Sequence, residues 1–316
     1  MRMTLTKHLN AINNNMSDKK HKVLIIVGGG IYGCIPAHFL GSLPDNLQYL
    51  HGVDCISGCS IGGILAGAYA IGHRFSYIDK VFQENADNCF KRTLCARLNP
   101  LSCPTYSNEG LKGMLNTIFE SDRMSVVNYH YPSLKLFIPT LNITDDKYKV
   151  FDNISSDDAS VKLATIALMT SAAPSYFEGV KFRGKCYIDG GLIEVAPLMT
   201  AVTALKAKCG WEFKDMDVLM IGTGKDISDK PLTAKDYNGL TILGMATDVI
   251  VPYATLANEM ATTYWGNCMG FNSFEFFNPC KHNGKLDDTD QIPDMIKQCD
   301  KYLEEFHAVY TDWLSR

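Results

Sequence analysis

The feature that most constrains the fold is a glycine-flanked serine between an apolar run and a run of small residues. The segment Gly58-Cys-Ser-Ile-Gly62 fits G-x-S-x-G, with Ser60 at its centre. At a strand-to-helix junction this spacing can hold the serine on a strained turn, with its hydroxyl exposed at the helix N-terminus. Gly58 and Gly62 leave room for close backbone approach. The pattern predicts a nucleophile at Ser60, although ordinary β-turn-α junctions also contain such spacings.

A second glycine turn lies upstream of the first. The β-branched run 23–27 predicts a strand buried on both faces, and it leads directly into a glycine loop that ends at Gly33. A glycine loop at a helix N-terminus aims bare backbone N–H groups at one point, as an oxyanion requires. We therefore predict that the amides of Gly28, Gly29 and Gly30 are oxyanion donors.

The same loop also fits the dinucleotide-binding pattern G-x-G-x-x-G. That interpretation requires an acidic residue about 20 positions further on, and Asp54 stands near that distance. However, Asp54 falls in the strand that opens the serine turn, where a nucleotide site has no use for a second glycine turn. The oxyanion interpretation is therefore favoured.

An aspartate marks a third turn. In the segment 186–191, Asp189 ends a short strand immediately before Gly190 and Gly191. A turn of this kind holds the side chain in place with its carboxylate available, although a plain Asx turn has the same sequence.

Taken together, these turns resemble those of the patatin-like phospholipases. The family pattern consists of a glycine loop, a G-x-S-x-G turn, a Ser-Ala-Ala-Pro-x-Tyr-Phe segment and an Asp-Gly-Gly turn, in that order. The corresponding segments here are 28–33, 58–62, 171–177 and 189–191. A later strand and glycine turn at 218–224 also resembles the family. The resemblance covers about residues 22–225, and four ordered motifs are far more specific than one.

The resemblance implies a three-layer α/β/α fold with a central, mainly parallel sheet. It also implies a lipid acyl hydrolase that cleaves phospholipid or neutral-lipid esters through an acyl-serine, with Ser60 as nucleophile and Asp189 as base. The chain departs from the family at Tyr32, where an arginine is usual, and at Val27, where an aspartate is frequent. The departures leave open a second hypothesis, a binding protein that keeps the fold and has weakened catalysis.

A Ser-Asp-His triad of the α/β-hydrolase kind is a further alternative. In that chain order the histidine would be His282 or His307. Neither histidine has a supporting motif, and both stand in polar C-terminal segments. A dyad therefore remains the favoured interpretation.

Composition limits the remaining possibilities. A net charge of −4 over 316 residues gives no electrostatic footprint for nucleic acid. No linker divides the chain, so we predict a disordered leader at 1–21 and one domain at 22–316. The eleven scattered cysteines predict reduced thiols and an intracellular protein, cytoplasmic or peripheral on membranes. We expect no metal or cofactor, because the acidic run at 287–290 lacks the glycine and closing glutamate of a calcium loop. The oligomeric state is left open.

A lipid substrate raises the question of membrane contact. No window approaches 18 uninterrupted apolar residues, so no transmembrane helix is expected. Lys91, Arg92 and Arg97 form a basic cluster with Phe90 and Leu94 between them, which suits an anionic interface. A solvated loop is the plainer interpretation of the same cluster.

Overall fold

The computed structural model describes residues 20–93, 103–226, 251–282 and 285–316, apart from the side chains of 251–259. The strands within these ranges are β1 (His21–Ile26), β2 (Cys55–Gly58), β3 (Lys135–Asn142), β4 (Lys147–Asp152), β5 (Val180–Phe182), β6 (Lys185–Asp189), β7 (Met216–Ile221), β8 (Lys225–Asp226), β9 (Ser273–Phe277) and β10 (Lys281–His282).

The helices alternate with these strands. They are α1 (Cys34–Gly41), α2 (Ile61–Ala70), α3 (Phe75–Cys89), α4 (Asn108–Phe119), α5 (Val127–His130), α6 (Leu163–Thr170), α7 (Gly191–Glu194), α8 (Leu198–Cys209), α9 (Val251–Cys268), α10 (Ile292–Cys299) and α11 (Leu303–Ser315). No helix in the described ranges is long and apolar enough to span a membrane.

One eight-stranded sheet organises the chain. Its order is β5-β6-β3-β2-β1-β7-β9, and β4 also pairs with β3. The pairs β3-β2, β2-β1, β1-β7 and β7-β9 are parallel, whereas the pairs that involve β4, β5 and β6 are antiparallel. The predicted mixed α/β fold with a mainly parallel sheet is confirmed.

Side chains of the central strand β1 alternate between the two faces of the sheet. Val23, Ile25 and Val27 pack into a core with α8, whereas Leu24 and Ile26 belong to a larger core with α1, α2 and α11. A strand covered on both faces reads as a continuous apolar run, which is what its sequence shows. The two cores on either side of the sheet make the three layers that the resemblance implied.

Two strands end facing each other on one edge of β3. The end of β2 pairs Ser57 with Phe137, and the end of β6 pairs Asp189 with Thr140. The opposite edge of β3 is occupied by β4, so β2 and β6 share the remaining edge. Because β2 runs parallel to β3 and β6 runs antiparallel, their carboxyl ends approach each other at Pro139. The turns that follow the two strands are therefore neighbours.

Two predictions made from the sequence need correction. The proposed leader extended to residue 21, but His21 is already the first residue of β1, and residues 1–19 lie outside the described ranges. The cysteines were predicted to be reduced throughout, but Cys103 is disulfide-bonded. In the described part of the chain, nine other cysteines are free.

The junction between β2 and α2 generates a stability prediction. A Cβ at Gly58 would lie 2.1 Å from the carbonyl oxygen of Gly62, which is backbone and cannot rotate away. We expect Gly58→Ala to lower the free energy of unfolding by about 1–3 kcal/mol, as overpacking does. Gly113→Ala on α4 is the matched control, because no heavy atom lies within 4 Å of its Cβ. Gly113→Ala should raise the free energy of unfolding by up to about 1 kcal/mol, because alanine has the higher helix propensity. Urea unfolding measures both, and equal effects would contradict the packing argument.

Candidate active site

Ser60 occupies a strained turn between β2 and α2. Its backbone has φ 55° and ψ −128°, a conformation that non-glycine residues rarely adopt. The turn presses against the end of β1, since a Cβ at Gly62 would lie 2.3 Å from the carbonyl oxygen of Ile26. Both glycines of the motif thus allow close backbone contact, and the serine between them is held where α2 begins.

Thr170, the last residue of α6, fixes this turn. The amide of Ser60 donates to Thr170 Oγ1 at 3.0 Å, and the same hydroxyl donates to the carbonyl of Pro139 at 2.7 Å. Thr170 is fully buried, so water does not compete for these bonds. Sequence analysis missed this residue, although it directly precedes the predicted segment 171–177. The bonds tie the serine turn to the same point on β3 where β6 ends.

Asp189 lies in direct contact with Ser60. Burial raises the pKa of the Asp189 carboxyl from its usual value to about 6, while hydrogen bonds from the Gly191 amide, the Ser60 hydroxyl and the Cys59 thiol act to lower it. The Gly191 amide donates to Oδ1 at 2.7 Å, and the Cys59 thiol lies 3.6 Å from the same oxygen. The carboxylate is therefore ionised at neutral pH and has a higher proton affinity than an exposed aspartate.

The glycine loop after β1 faces this pair, but its three amides differ. The Gly28 amide donates to the carbonyl of Val195 at 2.9 Å, so it is already engaged. The amides of Gly29 and Gly30 have no hydrogen-bond partner among the described residues. The predicted set of three donors is thus reduced to two. Gly29 and Gly30 line the same cavity as Ser60.

Flanking contacts hold the two free amides in place. Thr223 Oγ1 donates to the carbonyl of Gly28 at 3.0 Å, and the amide of Ile31 donates to the carbonyl of Leu286 at 2.9 Å. Gly30 has φ +56°, and a Cβ there would lie 2.3 Å from the Leu286 oxygen, so only glycine fits. The donors are fixed before any substrate arrives, which is what stabilisation of an oxyanion needs.

Tyr32, which replaces the usual arginine of the family, is fully buried below the loop. Its ring stacks on His282 with centroids 3.6 Å apart, and its hydroxyl donates to Gln291 Oε1 at 3.1 Å. The loop is thus anchored from the C-terminal part of the chain. Neither contact could be inferred from the sequence, because more than 240 residues separate the partners.

The two histidines considered for a triad are engaged elsewhere. His282 is buried against Tyr32, and burial lowers the pKa of its imidazole to about 4, so the ring is neutral. His307 Nε2 lies 3.1 Å from the hydroxyl of Ser42 at the end of α1. Among the described residues neither histidine hydrogen bonds to Ser60 or Asp189. The geometry of the described residues thus favours a Ser60–Asp189 pair over a triad.

The nucleotide interpretation of the glycine loop also lacks its acidic partner. Asp54 Oδ2 accepts the amide of Lys22 at 3.0 Å. Lys22 lies at the start of β1, whereas the loop follows its end. Asp54 therefore lies at the opposite end of the strands from the loop, and it cannot hold a ribose there.

An apolar cavity of about 110 Å³ opens onto Ser60 and Asp189. Among the described residues that line it, Asp189 is the only one with a charged side chain. The apolar lining residues are Ile61, Ile64, Phe82, Ala86, Cys89, Phe90, Leu111, Met114, Ala173, Pro174, Tyr176, Phe177, Leu192, Val195 and Leu286. Such a lining suits a hydrocarbon chain whose carbonyl end lies at the dyad. Sequence analysis did not find this cavity, since its described walls come from seven separate segments of the chain.

Comparisons with known proteins show the family of the chain. The model of a family described as patatin-like phospholipase matches residues 24–202, more than half of the chain. A cGAMP-activated phospholipase of Escherichia coli strain TW11681 is 28% identical over 263 residues, which cover 75% of this chain and 72% of that protein. Patatin-like protein 2 of Arabidopsis thaliana is 25% identical over 271 residues, covering 71% of this chain and 65% of that one. The crystal structure of VipD from Legionella pneumophila covers 91% of this chain and 67% of its own, with 10% identity and a TM-score of 0.45.

The raised pKa of Asp189 predicts an acid limit on turnover. A carboxylate that must accept a proton is inactive once protonated, so kcat/KM should be half-maximal near pH 6 and fall about tenfold per unit below that value. An ordinary aspartate would move this limit to about pH 4. Initial rates on a soluble ester between pH 4.5 and 8 measure the profile. A flat profile down to pH 4.5 would contradict a buried carboxylate base.

Thr170 can be tested separately from the dyad. Thr170→Val keeps the volume and removes the hydroxyl, so the serine turn loses its tie to β3. We expect kcat on a soluble ester to fall about 10- to 100-fold with KM little changed, as when a reacting group is misplaced by about 1 Å. Thr170→Ser keeps the hydroxyl and should restore kcat to within about threefold. Wild-type kcat in Thr170→Val beside a lower kcat in Thr170→Ser would mean that Thr170 contributes only packing.

Proposed function

Because the chain belongs to the patatin-like phospholipase family, we propose that it cleaves lipid esters through an acyl-serine formed on Ser60, with Asp189 as its base. The family makes the protein a lipid acyl hydrolase, an enzyme that hydrolyses carboxylic esters. The mechanism and its residues are our proposal. It rests on one observation above all, the Ser60 side chain set against a buried Asp189 carboxylate at the end of an apolar cavity that both residues line.

Acylation follows from this geometry. Ser60 Oγ attacks the ester carbonyl as its proton passes to Asp189. The carbonyl oxygen becomes negative and accepts hydrogen bonds from the amides of Gly29 and Gly30. The intermediate then collapses, the bond to the alcohol breaks, and Asp189 returns the proton to the departing oxygen. The products of this half-reaction are a free alcohol and an acyl-serine.

In deacylation, water is the attacking group and Ser60 is the leaving group. A water molecule gives its proton to Asp189 and attacks the acyl carbonyl, and the same two amides accept the charge on its oxygen. Collapse of this second intermediate releases a fatty acid, and Asp189 returns the proton to Ser60. Each half-reaction leaves Asp189 ionised, so one carboxylate serves both as base and as acid.

The cavity supports an acyl chain as the part of the substrate that enters. Its described lining is apolar apart from the Ser171 and Tyr176 hydroxyls and the polar groups around Ser60 and Asp189, and it holds no cation, so a phosphate or other charged headgroup would lose its hydration there without an oppositely charged partner. The headgroup, or the rest of a neutral lipid, is then the alcohol side that stays outside the cavity. Both phospholipids and neutral lipids meet this requirement.

Substitution of the dyad tests the proposal. We expect Ser60→Ala to lower turnover of a short-chain chromogenic ester by about 10⁴-fold or more, because no attacking oxygen remains. Asp189→Asn should be nearly as damaging, since the amide is almost isosteric but cannot accept the proton. His307→Ala is the matched control and should keep most of the activity, and His282→Ala should lose far less than Ser60→Ala, because its ring only supports the glycine loop through Tyr32. Wild-type turnover in folded Ser60→Ala protein would refute the nucleophile, and an inactive histidine variant beside an active Asp189→Asn would favour a triad.

A further inference from the structure

Two helices that pack against each other near the active site carry exposed apolar side chains. Ile193 on α7 is 53% exposed, and Met260, Tyr264 and Trp265 on α9 are 65%, 64% and 45% exposed. We call these four residues the apolar patch. Single exposed apolar residues are ordinary on a protein surface, but four large ones on two adjoining helices are a feature to be explained.

The apolar patch adjoins the wall of the acyl cavity. Helix α7 begins directly after the Asp189 turn, and its residue Leu192, next to Ile193, lines the cavity. Helix α9 is fastened at the same place, because Thr262 is buried and its hydroxyl donates to the carbonyl of Ala196 at 3.5 Å. Met260 and Tyr264 lie on the side of α9 opposite Thr262, and Trp265 lies on the flank between the two sides. One surface thus continues from the cavity wall to these exposed rings.

The chemistry of the apolar patch fits the boundary of a lipid layer. No charged residue occurs from Met260 to Phe274, in a chain of which 20% of the residues are charged. The rings of Tyr264 and Trp265 lie edge to face with centroids 5.7 Å apart. Tyrosine and tryptophan favour the interface between membrane and water, where the ring meets apolar tails and its polar atom meets the headgroups.

The basic loop predicted from the sequence is a poorer candidate. Phe90, which was to supply its apolar contact, lines the acyl cavity and is only partly exposed. Arg92 interacts with the hydroxyl of Tyr106, and the ring of Tyr106 packs edge to face against the ring of Phe90. Leu94 and Arg97 lie outside the described residues. Lys91 and Arg92 are exposed, but two basic residues together add only about 2 kcal/mol to the binding of an anionic surface.

We propose that the apolar patch docks the enzyme on the surface of a lipid bilayer and brings the mouth of the acyl cavity to that surface. The proposal rests on the proposed function, because a lipid surface is the source of the chain that enters the cavity. Its driving force is burial of apolar side chains among headgroups and acyl tails. Binding should therefore need no anionic lipid and should survive high salt, which screens charges but not apolar contacts.

Flotation with vesicles of pure phosphatidylcholine tests this directly. The patch variant is Met260→Gln, Tyr264→Gln and Trp265→Gln, in which glutamine keeps helix propensity and removes the apolar surface. The matched control is Tyr129→Gln with Ile154→Gln. Both residues are exposed. Tyr129 on α5 lies just before the start of β3, at the end of the parallel strands opposite the dyad. We expect the patch variant to lose at least about tenfold in vesicle partitioning, and the control to bind as wild type does.

Two assays separate docking from catalysis. Turnover of a soluble short-chain ester should be equal in wild type, patch variant and control, which also shows that each protein is folded. Turnover of phosphatidylcholine in vesicles, at lipid concentrations below saturation, should fall at least about tenfold in the patch variant alone. Failure of wild type to hydrolyse the soluble ester would refute the proposed function. Equal vesicle binding by wild type and patch variant would refute only the docking surface.

The remaining outcomes are equally decisive. At 0.5 M salt the screening length falls to about 4 Å, so binding that depends on charge is lost. Wild-type binding that requires phosphatidylserine and disappears at that salt concentration would therefore assign docking to basic residues instead. Absence of wild-type binding to any vesicle would overturn the proposal. If light scattering showed a dimer for wild type and a monomer for the patch variant, with vesicle binding unchanged, the apolar patch would be an interface between two copies of this chain.

Discussion

The active site depends on a gap in one edge of β3. The parallel strand β2 and the antiparallel strand β6 approach each other along this edge and stop on either side of Pro139. Proline has no N–H, so the gap leaves no unpaired donor from this residue. Its carbonyl receives the hydroxyl of Thr170, and Gly190 lies so close that a Cβ there would be 2.7 Å from the same oxygen. The nucleophile turn and the base turn are both built onto this one residue.

Burial around that gap supplies the chemistry as well as the geometry. A carboxylate is a weak base in water, but the Asp189 side chain is enclosed by the ends of two strands and by the serine turn. Desolvation raises its pKa, while the bond from the Gly191 amide keeps the charged form accessible at neutral pH. A histidine is not needed between serine and carboxylate when the carboxylate itself has been moved toward the working pH.

The strain in the serine turn is balanced by many small contacts rather than by one strong one. Gly58 and Gly62 permit close backbone packing, Thr170 binds the serine amide, and α2 continues from the turn as a fully buried helix. On the opposite side the glycine loop is held by contacts from β7, the α7 to α8 segment and the C-terminal third of the chain. Residues from separate regions of the chain thus surround the position of the substrate carbonyl, between Ser60 and the amides of the glycine loop. The apolar cavity extends from that position.

The sequence alone determined those parts of the site in which chemistry is local. Two glycines around Ser60 and two after Asp189 indicate particular turns, and an apolar run such as Val23 to Val27 indicates a strand buried on both faces. The order of these turns carries the family resemblance, and that resemblance implied the fold class and the candidate dyad. Only the tertiary structure decided the rest. It showed that the Gly28 amide is already bound to Val195, that Tyr32 is anchored by His282, and that Thr170 holds the serine turn. Each of these contacts joins residues far apart in the chain, and no periodicity or spacing encodes which distant side chain will fill a given space.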